Sequence, residues 1–497
     1  MNHSALFLQL LPEAVLVLTA LVMLGAAVAT GKKPGQEFSS GMSVGIATFG
    51  ILLAAAAMCF VPQDGGTSTP LLQNDGLARI FKALVLGLGL LAVWLPPARR
   101  EMQNLGEYYA LALFALTGLL LAAGSNHLLF LFVALELASL SLYLLAGFPR
   151  TPRAAEASLK YFLFGGVSAA FMLFGISLLY GVSHSTTLSG ISHVLEASQP
   201  SLLAMTGLAM LLAGLGFKLA AVPFHYWAPD VYQGAPATTV AMVSAASKAV
   251  GLVVLVRILQ IGFPNVAGSA AWGEMAAGWS FWLAVLAAVS MIFGNLLALA
   301  QTSVRRLLAY SAVANTGYLL VALSANGPKA AAAALFYVVV YGLATLGALA
   351  VTAAVERDRG DDKISSFAGL VHRSPFQAVC LLVFLTSLAG IPPLAGFVGK
   401  FALFSDAMAE SAAGGNPGLV WLVGLGAILS AVSLYYYLSV LKQAFVKPAP
   451  DEVLEMETLP ASHVLCLALP AALLVVVGLF PSLLLAPITQ ALLDSLH

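Results

Sequence analysis

The sequence predicts an all-α polytopic membrane protein of about fourteen transmembrane helices, and three observations carry that expectation. Of 497 residues, 60% are hydrophobic and 9% charged, against roughly 45–50% and about 25% in soluble globular chains. Apolar stretches of about 20 residues, long enough to cross a bilayer, follow one another with short connections. Lysines and arginines gather in alternate connections, the pattern of the positive-inside rule. Twenty-two basic and 22 acidic residues give zero net charge, which offers a nucleic acid no attractive field. Cys59, Cys380 and Cys466 lie far apart in apolar runs. They cannot form a disulfide framework, a thiolate zinc site or an iron–sulfur quartet. Soluble enzymes, nucleic-acid binders and thiolate metalloproteins are thereby excluded.

In chain order the spans cover residues 5–28, 40–62, 76–96, 107–124, 127–147, 158–181, 202–226, 238–262, 276–300, 306–324, 329–354, 376–404, 418–443 and 463–486. The first is too long for a cleaved signal peptide and lacks its basic start. No connection is long enough for a soluble domain. The connections after spans 1, 3, 5, 9, 11 and 13 carry Lys32, Lys33, Arg99, Arg100, Arg150, Arg153, Arg305, Arg306, Arg357, Arg359, Lys363, Arg373, Lys442 and Lys447. The opposite ends hold only Arg79, Lys82, Arg257 and Lys329. This bias puts the first set in the cytoplasm and both termini outside.

Five charged residues inside the spans need a reason, because each central lysine or acid costs about 2.5–3.5 kcal/mol on insertion scales. In span 5, Glu136 follows His127 by nine residues, roughly 14 Å at 1.5 Å per residue, which is near mid-membrane. It is either a functional carboxylate or one kept neutral by a neighbouring helix. Lys160, near the start of span 6, either snorkels to the surface or takes part in a relay. In span 7, Lys218 precedes Pro223 by five residues in a glycine-rich stretch. Proline lacks an N–H and clashes with the preceding turn, so this helix should break. Span 8 carries Lys248 among small residues, with no acid within a turn. In span 12, Lys400 follows Pro393 by seven residues, the second proline break. Broken helices at membrane depth occur where they line a cavity or are buried in protein. A lysine beside such a break is a candidate ion or proton site, or else a ligand for the freed carbonyls. His225, with Tyr226, Trp227 and Asp230 at the cytoplasmic edge of span 7, is either a relay or an aromatic-belt anchor.

The two breaks suggest a repeat. Spans 4–8 and 9–13 form two groups of five, each with its fourth helix broken, and an odd number of helices makes consecutive groups enter the membrane from opposite sides. The expected division is 1–106 for helices 1–3, 107–262 and 263–447 for the two inverted repeats, and 448–497 for the last helix.

Residues 216–250, GFKLAAVPFHYWAPDVYQGAPATTVAMVSAASKAV, resemble the subunit N family of bacterial NADH–quinone oxidoreductase (respiratory complex I). FVALELASLSLYLLAGF, EASLKYFLFG, LLAYSAVANTGYLLVAL and GIPPLAGFVGKFALF fit the same family in the same order. Lys400 argues against the sister subunit M, which has glutamate there. The resemblance implies the antiporter-like fold with helices 7 and 12 discontinuous, and a proton relay of Glu136, Lys218, Lys248 and Lys400. It raises Lys160 to a relay candidate beside His225. It places the chain among other membrane-arm subunits in a bacterial inner membrane. No cofactor or metal is expected in this chain; FMN, iron–sulfur clusters and quinone would belong to partner subunits. One departure stands out: the tenth-helix motif reads AYSAVANTGY, with Asn315 where the family has histidine. Asparagine does not titrate near neutral pH, so this position either orders water or is compensated by Thr316 and Tyr310.

The relay has a simple physical logic. Water-poor surroundings weaken a lysine's hold on its proton and a nearby carboxylate strengthens it, so moving one relative to the other loads and releases a proton. Carrying one charge against 100 mV takes about 2.3 kcal/mol. On this logic an arginine at position 218 cannot substitute, because it does not deprotonate. Competing assemblies are a multisubunit cation/proton antiporter and a hydrogenase-type or photosynthetic relative of complex I.

Overall fold

A computed structural model describes residues 8–30, 40–61, 71–95, 104–197, 201–412, 417–448 and 460–496. Lys32, Lys33, Arg99 and Arg100, which contribute to the expected orientation, lie outside these residues.

Among the described residues, thirteen helices are long and apolar enough to cross a membrane. They match spans 1–11, 13 and 14 of the sequence reading. Span 12 is two shorter helices, Pro375–Ala389 and Ala395–Ser411, and span 7 is Leu202–Leu219 followed after a turn by Ala228–Gly234. Both expected breaks are therefore present in an all-helical, multi-pass membrane protein. Helix starts use short polar caps: Asp75 Oδ1 accepts from the Ala78 N–H at 2.7 Å, and Thr151, ahead of Pro152, accepts from Ala154 at 3.2 Å. Each satisfies a donor that the first turn leaves free.

The chain forms two compact units. The first comprises residues 1–218, 234–265 and 491–497. Its interior helix is span 8, Ala237–Gly262, buried throughout its apolar window. Spans 4 and 5 pack backbone to backbone at Gly118, where a Cβ would stand 2.5 Å from the Ala138 nitrogen; small residues allow this approach in lipid-embedded bundles. Span 6 exposes Phe162, Leu163, Val167 and Phe174, an apolar face suited to lipid.

The second unit comprises residues 219–233 and 266–490. Its interior helix is span 11, Pro328–Arg359, buried from Ala330 to Val355. Spans 9 and 10 meet closely at Gly294 and Gly317, where an added Cβ would lie 2.4 Å from the Ala314 nitrogen and 2.5 Å from Met291 Cγ respectively.

Lys82 and Arg257, counted among the basic residues of the outer ends, are not solvent-facing. Lys82 is buried and paired with Glu13 at 2.7 Å, and Arg257 is buried and paired with Asp75 at 2.5 Å. Their partners come from helices remote in sequence, so local pattern could not show the burial. His225, read as a relay group or an aromatic-belt anchor, is 3% exposed, whereas its neighbour Tyr226 is 63% exposed.

Candidate proton-relay site

The first break starts at Ala220, whose φ of +57° puts a non-glycine residue in the left-handed region. Such a conformation persists where the surroundings impose it, and here side chains of the second unit take up the freed backbone groups. Thr316 Oγ1 donates to the Leu219 carbonyl at 2.5 Å, and the Val222 N–H donates to Ser290 Oγ at 2.9 Å. This is how irregular backbone becomes tolerable where water is scarce. Thr316 is thus committed to backbone support, including a 3.0 Å bond to the Ala312 carbonyl, and does not replace a titrating group. His225 lies inside this turn. Its carbonyl accepts from Ala228 at 2.9 Å, its ring lies 4.6 Å from that of Tyr226, and its buried Nδ1 has no hydrogen-bond partner.

Lys218 sits two residues before Ala220 and is buried in the first unit. Its ammonium donates to Ser139 Oγ, and Ser139 donates in turn to the Leu135 carbonyl, so span 5 holds it. Half-buried Glu136, on the same helix as Ser139, is within electrostatic reach of Lys218. The two form no direct ion pair: the described ion pairs, with N–O distances up to 4.0 Å, do not include them. The rings of Tyr143 and Tyr161 lie edge-to-face at 4.6 Å, and Tyr161 lies 5.8 Å from Phe217, which walls this part of the site with aromatic groups. Gly165 makes room for Tyr143, whose hydroxyl would be 1.9 Å from a Cβ there.

Lys248 belongs to the same unit, 2% exposed. It opens the helix Lys248–Arg257 directly after a π-helical turn, Met242–Ser247. Such turns shift the register of a helix and are frequent at functional sites. Lys160 is placed differently. It pairs with Glu156 at 2.7 Å, one turn earlier on its own helix, with 38% of its side chain exposed.

Lys400 occupies the second break. Gly390, at φ +82°, turns the chain, and Gly396 lets the next helix start against Ser387, whose carbonyl would be 1.8 Å from a Cβ at that position. The Lys400 ammonium donates to the Leu388 carbonyl at 2.9 Å, the Ala389 carbonyl at 3.3 Å and Ser430 Oγ at 3.0 Å. Three donors thus meet three acceptors, and two of those acceptors are carbonyls released by the break. The ammonium also lies 5.1 Å from the centre of the Tyr318 ring, inside the range of a cation–π contact.

A hydroxyl and amide network around Lys400 escaped the sequence reading. Asn295 donates to Tyr318 at 3.2 Å and accepts from Tyr436 at 3.2 Å. Tyr436 and Tyr437 are ring neighbours at 4.5 Å, and Tyr437 shares a hydrogen bond with Ser311. Asn315 donates to the Ser311 carbonyl at 2.8 Å and accepts from Tyr337 at 2.6 Å. Asn315 is therefore a fully engaged, non-titrating link. Tyrosine at helical spacing reads as core in a sequence, so only the recurrence of Asn and Tyr on spans 9–11 and 13 hinted at it.

Comparison with known proteins supplies the family context. Residues 125–429 match the family model described as NADH:quinone oxidoreductase/Mrp antiporter, TM. The chain is 49% identical over 383 residues to NADH-quinone oxidoreductase subunit N 2 of Acidobacterium capsulatum, covering 77% of this chain and 76% of that one. It is 36% identical to F(420)H(2) dehydrogenase subunit N of Methanosarcina mazei, covering 95% and 96%. Among solved structures, a chain of respiratory complex I from Thermus thermophilus with bound aureothin superposes with a TM-score of 0.78 at 33% identity, covering 96% and 98%.

Proposed function

The chain belongs to the NADH:quinone oxidoreductase/Mrp antiporter transmembrane family, and from that premise we propose that it is a proton-translocating membrane-arm subunit of an NADH–quinone oxidoreductase. The observation that carries the proposal is a buried, hydrogen-bonded lysine beside each helix break: Lys218 at the end of the helix before the first and Lys400 on the helix after the second. Placing a lysine there costs insertion energy, and a reversible proton site is a reason to keep it. In this reading Glu136, Lys218 and Lys248 serve one unit and Lys400 the other, with His225 and Lys160 as further relay groups. Spans 4–8 and 9–13 are the two inverted repeats. The protein resides in a bacterial inner membrane with both termini outside, assembled with the other membrane-arm subunits.

Electron transfer is assigned to partners. Among the described residues no group of three His, Cys, Asp or Glu side chains is placed to hold a metal, and the three cysteines sit on different spans. This donor set does not suit an iron–sulfur cluster. FMN, iron–sulfur clusters and quinone would be bound by other subunits.

The F(420)H(2) dehydrogenase relative favours a second reading, in which the same membrane subunit takes its energy from a different electron-input module. A native gel of mildly solubilised membranes, stained for NADH dehydrogenase activity and probed for a tag on this chain, separates the two. Co-migration with a very large NADH-oxidising band supports the proposal. A large complex without NADH activity contradicts the NADH assignment.

A further inference from the structure

Lys218 and Lys400 pose the same difficulty, a buried charge beside a helix break, in different surroundings. Lys218 has the Glu136 carboxyl within electrostatic reach. Among the described residues no ion pair includes Lys400, so no acid within 4.0 Å balances its charge. Its hydrogen-bond acceptors, the Leu388 and Ala389 carbonyls and Ser430 Oγ, are all neutral. The remaining group at the ammonium is the Tyr318 ring, over which it stands at 5.1 Å from the centre. The face of an aromatic ring is the negative part of its quadrupole and attracts a cation, most strongly away from water.

The second unit fixes that ring at its tip and at its side. Tyr318, on the helix Val304–Ser324, is 1% exposed, and its hydroxyl accepts from Asn295 Nδ2 at 3.2 Å. Asn295 has one orientation that suits its neighbours. Its Nδ2 also donates to the Met291 carbonyl at 2.8 Å, and its Oδ1 accepts from Tyr436 at 3.2 Å. A carbonyl can only accept, which settles which end of the amide is nitrogen. At the side, the Phe404 ring stands 5.9 Å from the Tyr318 ring and at 89° to it, a favoured aromatic geometry. Gly426 makes room for Phe404, since a Cβ there would lie 2.9 Å from Phe404 Cε1. Phe404 follows Lys400 by four residues on the helix Ala395–Ser411, one turn along the same face. The helix that carries the ammonium therefore also carries a contact that sets the ring.

We infer that Tyr318 is a positioning residue for Lys400: its ring face stands in for a counter-charge and keeps the ammonium at the second break, with Asn295, Tyr436 and Phe404 setting the ring. A carboxylate in this place could take the proton itself, whereas a ring face holds the charge and leaves the proton on the lysine. A desolvated contact of this kind is worth a preference of about 30-fold or more, enough to decide where the charge rests between transfers.

The inference rests on the relay reading of Lys400, so its test carries a control for that reading. Inverted membrane vesicles containing the whole complex are given NADH, and proton uptake is recorded per NADH oxidised, with assembly read on a native gel. Tyr318→Phe is the reference, and phenylalanine bearing one, two or three ring fluorines is then placed at 318 by stop-codon suppression. Fluorine draws electron density from the ring face while nearly keeping the shape, so a packing role is blind to it. Should the reference not assemble, mono- and difluorotyrosine, which keep the hydroxyl for Asn295, form the same series against the wild type. The expected result is uptake per NADH that falls stepwise with each fluorine and is lowest in Tyr318→Leu, with the complex assembled throughout. Equal uptake across the fluorinated series overturns the proposal, even where Tyr318→Leu is impaired, because the ring is then only packing. Lys400→Met is the control: normal uptake there means that the relay reading itself has failed.

Discussion

Lys400 separates two roles that look alike in a static structure: capping the carbonyls of a broken helix and carrying a proton. Lys400→Met removes the ammonium but keeps most of the side-chain volume. The Leu388 and Ala389 carbonyls then lose their side-chain donor. An orphaned buried group costs about 1–3 kcal/mol, so the two together cost about 2–6 kcal/mol. Removing a charge from the membrane returns about 2.5–3.5 kcal/mol. The terms are of similar size and opposite sign, so the variant should assemble with a net destabilisation no greater than about 3–4 kcal/mol. Proton uptake by inverted vesicles, normalised to assembled complex on a native gel, is then interpretable. The relay role predicts an assembled complex that takes up far fewer protons per NADH oxidised. Wild-type uptake from assembled Lys400→Met would show that the ammonium only caps carbonyls, and the reasoning would be refuted at this residue.

Other outcomes follow from the same geometry. Ser139→Ala deletes the acceptor of the Lys218 ammonium and should cost about 1.5–3 kcal/mol, the range for a hydrogen bond to a charged group; an unchanged thermal midpoint of the solubilised protein would contradict that contact. Tyr337→Phe should leave Asn315 Oδ1 without its 2.6 Å donor and lower stability by about 1–3 kcal/mol, read in the same melt. Asp361, in a connection outside the spans, has its carboxyl held below the usual aspartate range, first by the Ser366 hydroxyl and also by Lys363. A carboxylate lowered in the fold stabilises above its unfolded value, about 3.9, and that contribution fades as pH falls through the lower folded value. Ser366→Ala should therefore flatten the acid limb of the melting-midpoint curve slightly, since the Asp361 side chain is 39% exposed; an identical acid limb argues against the contact.

What the sequence could show is tied to local chemistry. Pro223 and Pro393 located both helix breaks through their missing N–H, and Gly390 suits the left-handed turn of the second, whereas the left-handed turn of the first falls on Ala220, which no residue preference foretells. Lys218 and Lys400 were legible for the same reason, as charges beside a break. The partners were not. Asp75 and Arg257 are 182 residues apart, and nothing near Lys82 in the sequence shows that Glu13 is its partner. The Tyr and Asn network depends on four helices converging, and no helical period distinguishes Tyr337 from a core aromatic. For His225 the sequence left relay and anchor equally open, and the burial that separates it from exposed Tyr226 depends on how the turn folds.

The central claim is that Lys218 works by giving up its proton. Its most direct test is NADH-driven proton uptake in inverted vesicles carrying Lys218→Arg, which keeps a charged donor for Ser139 but does not deprotonate. The account predicts an assembled complex with little proton uptake per NADH oxidised. Uptake equal to the wild type would contradict it.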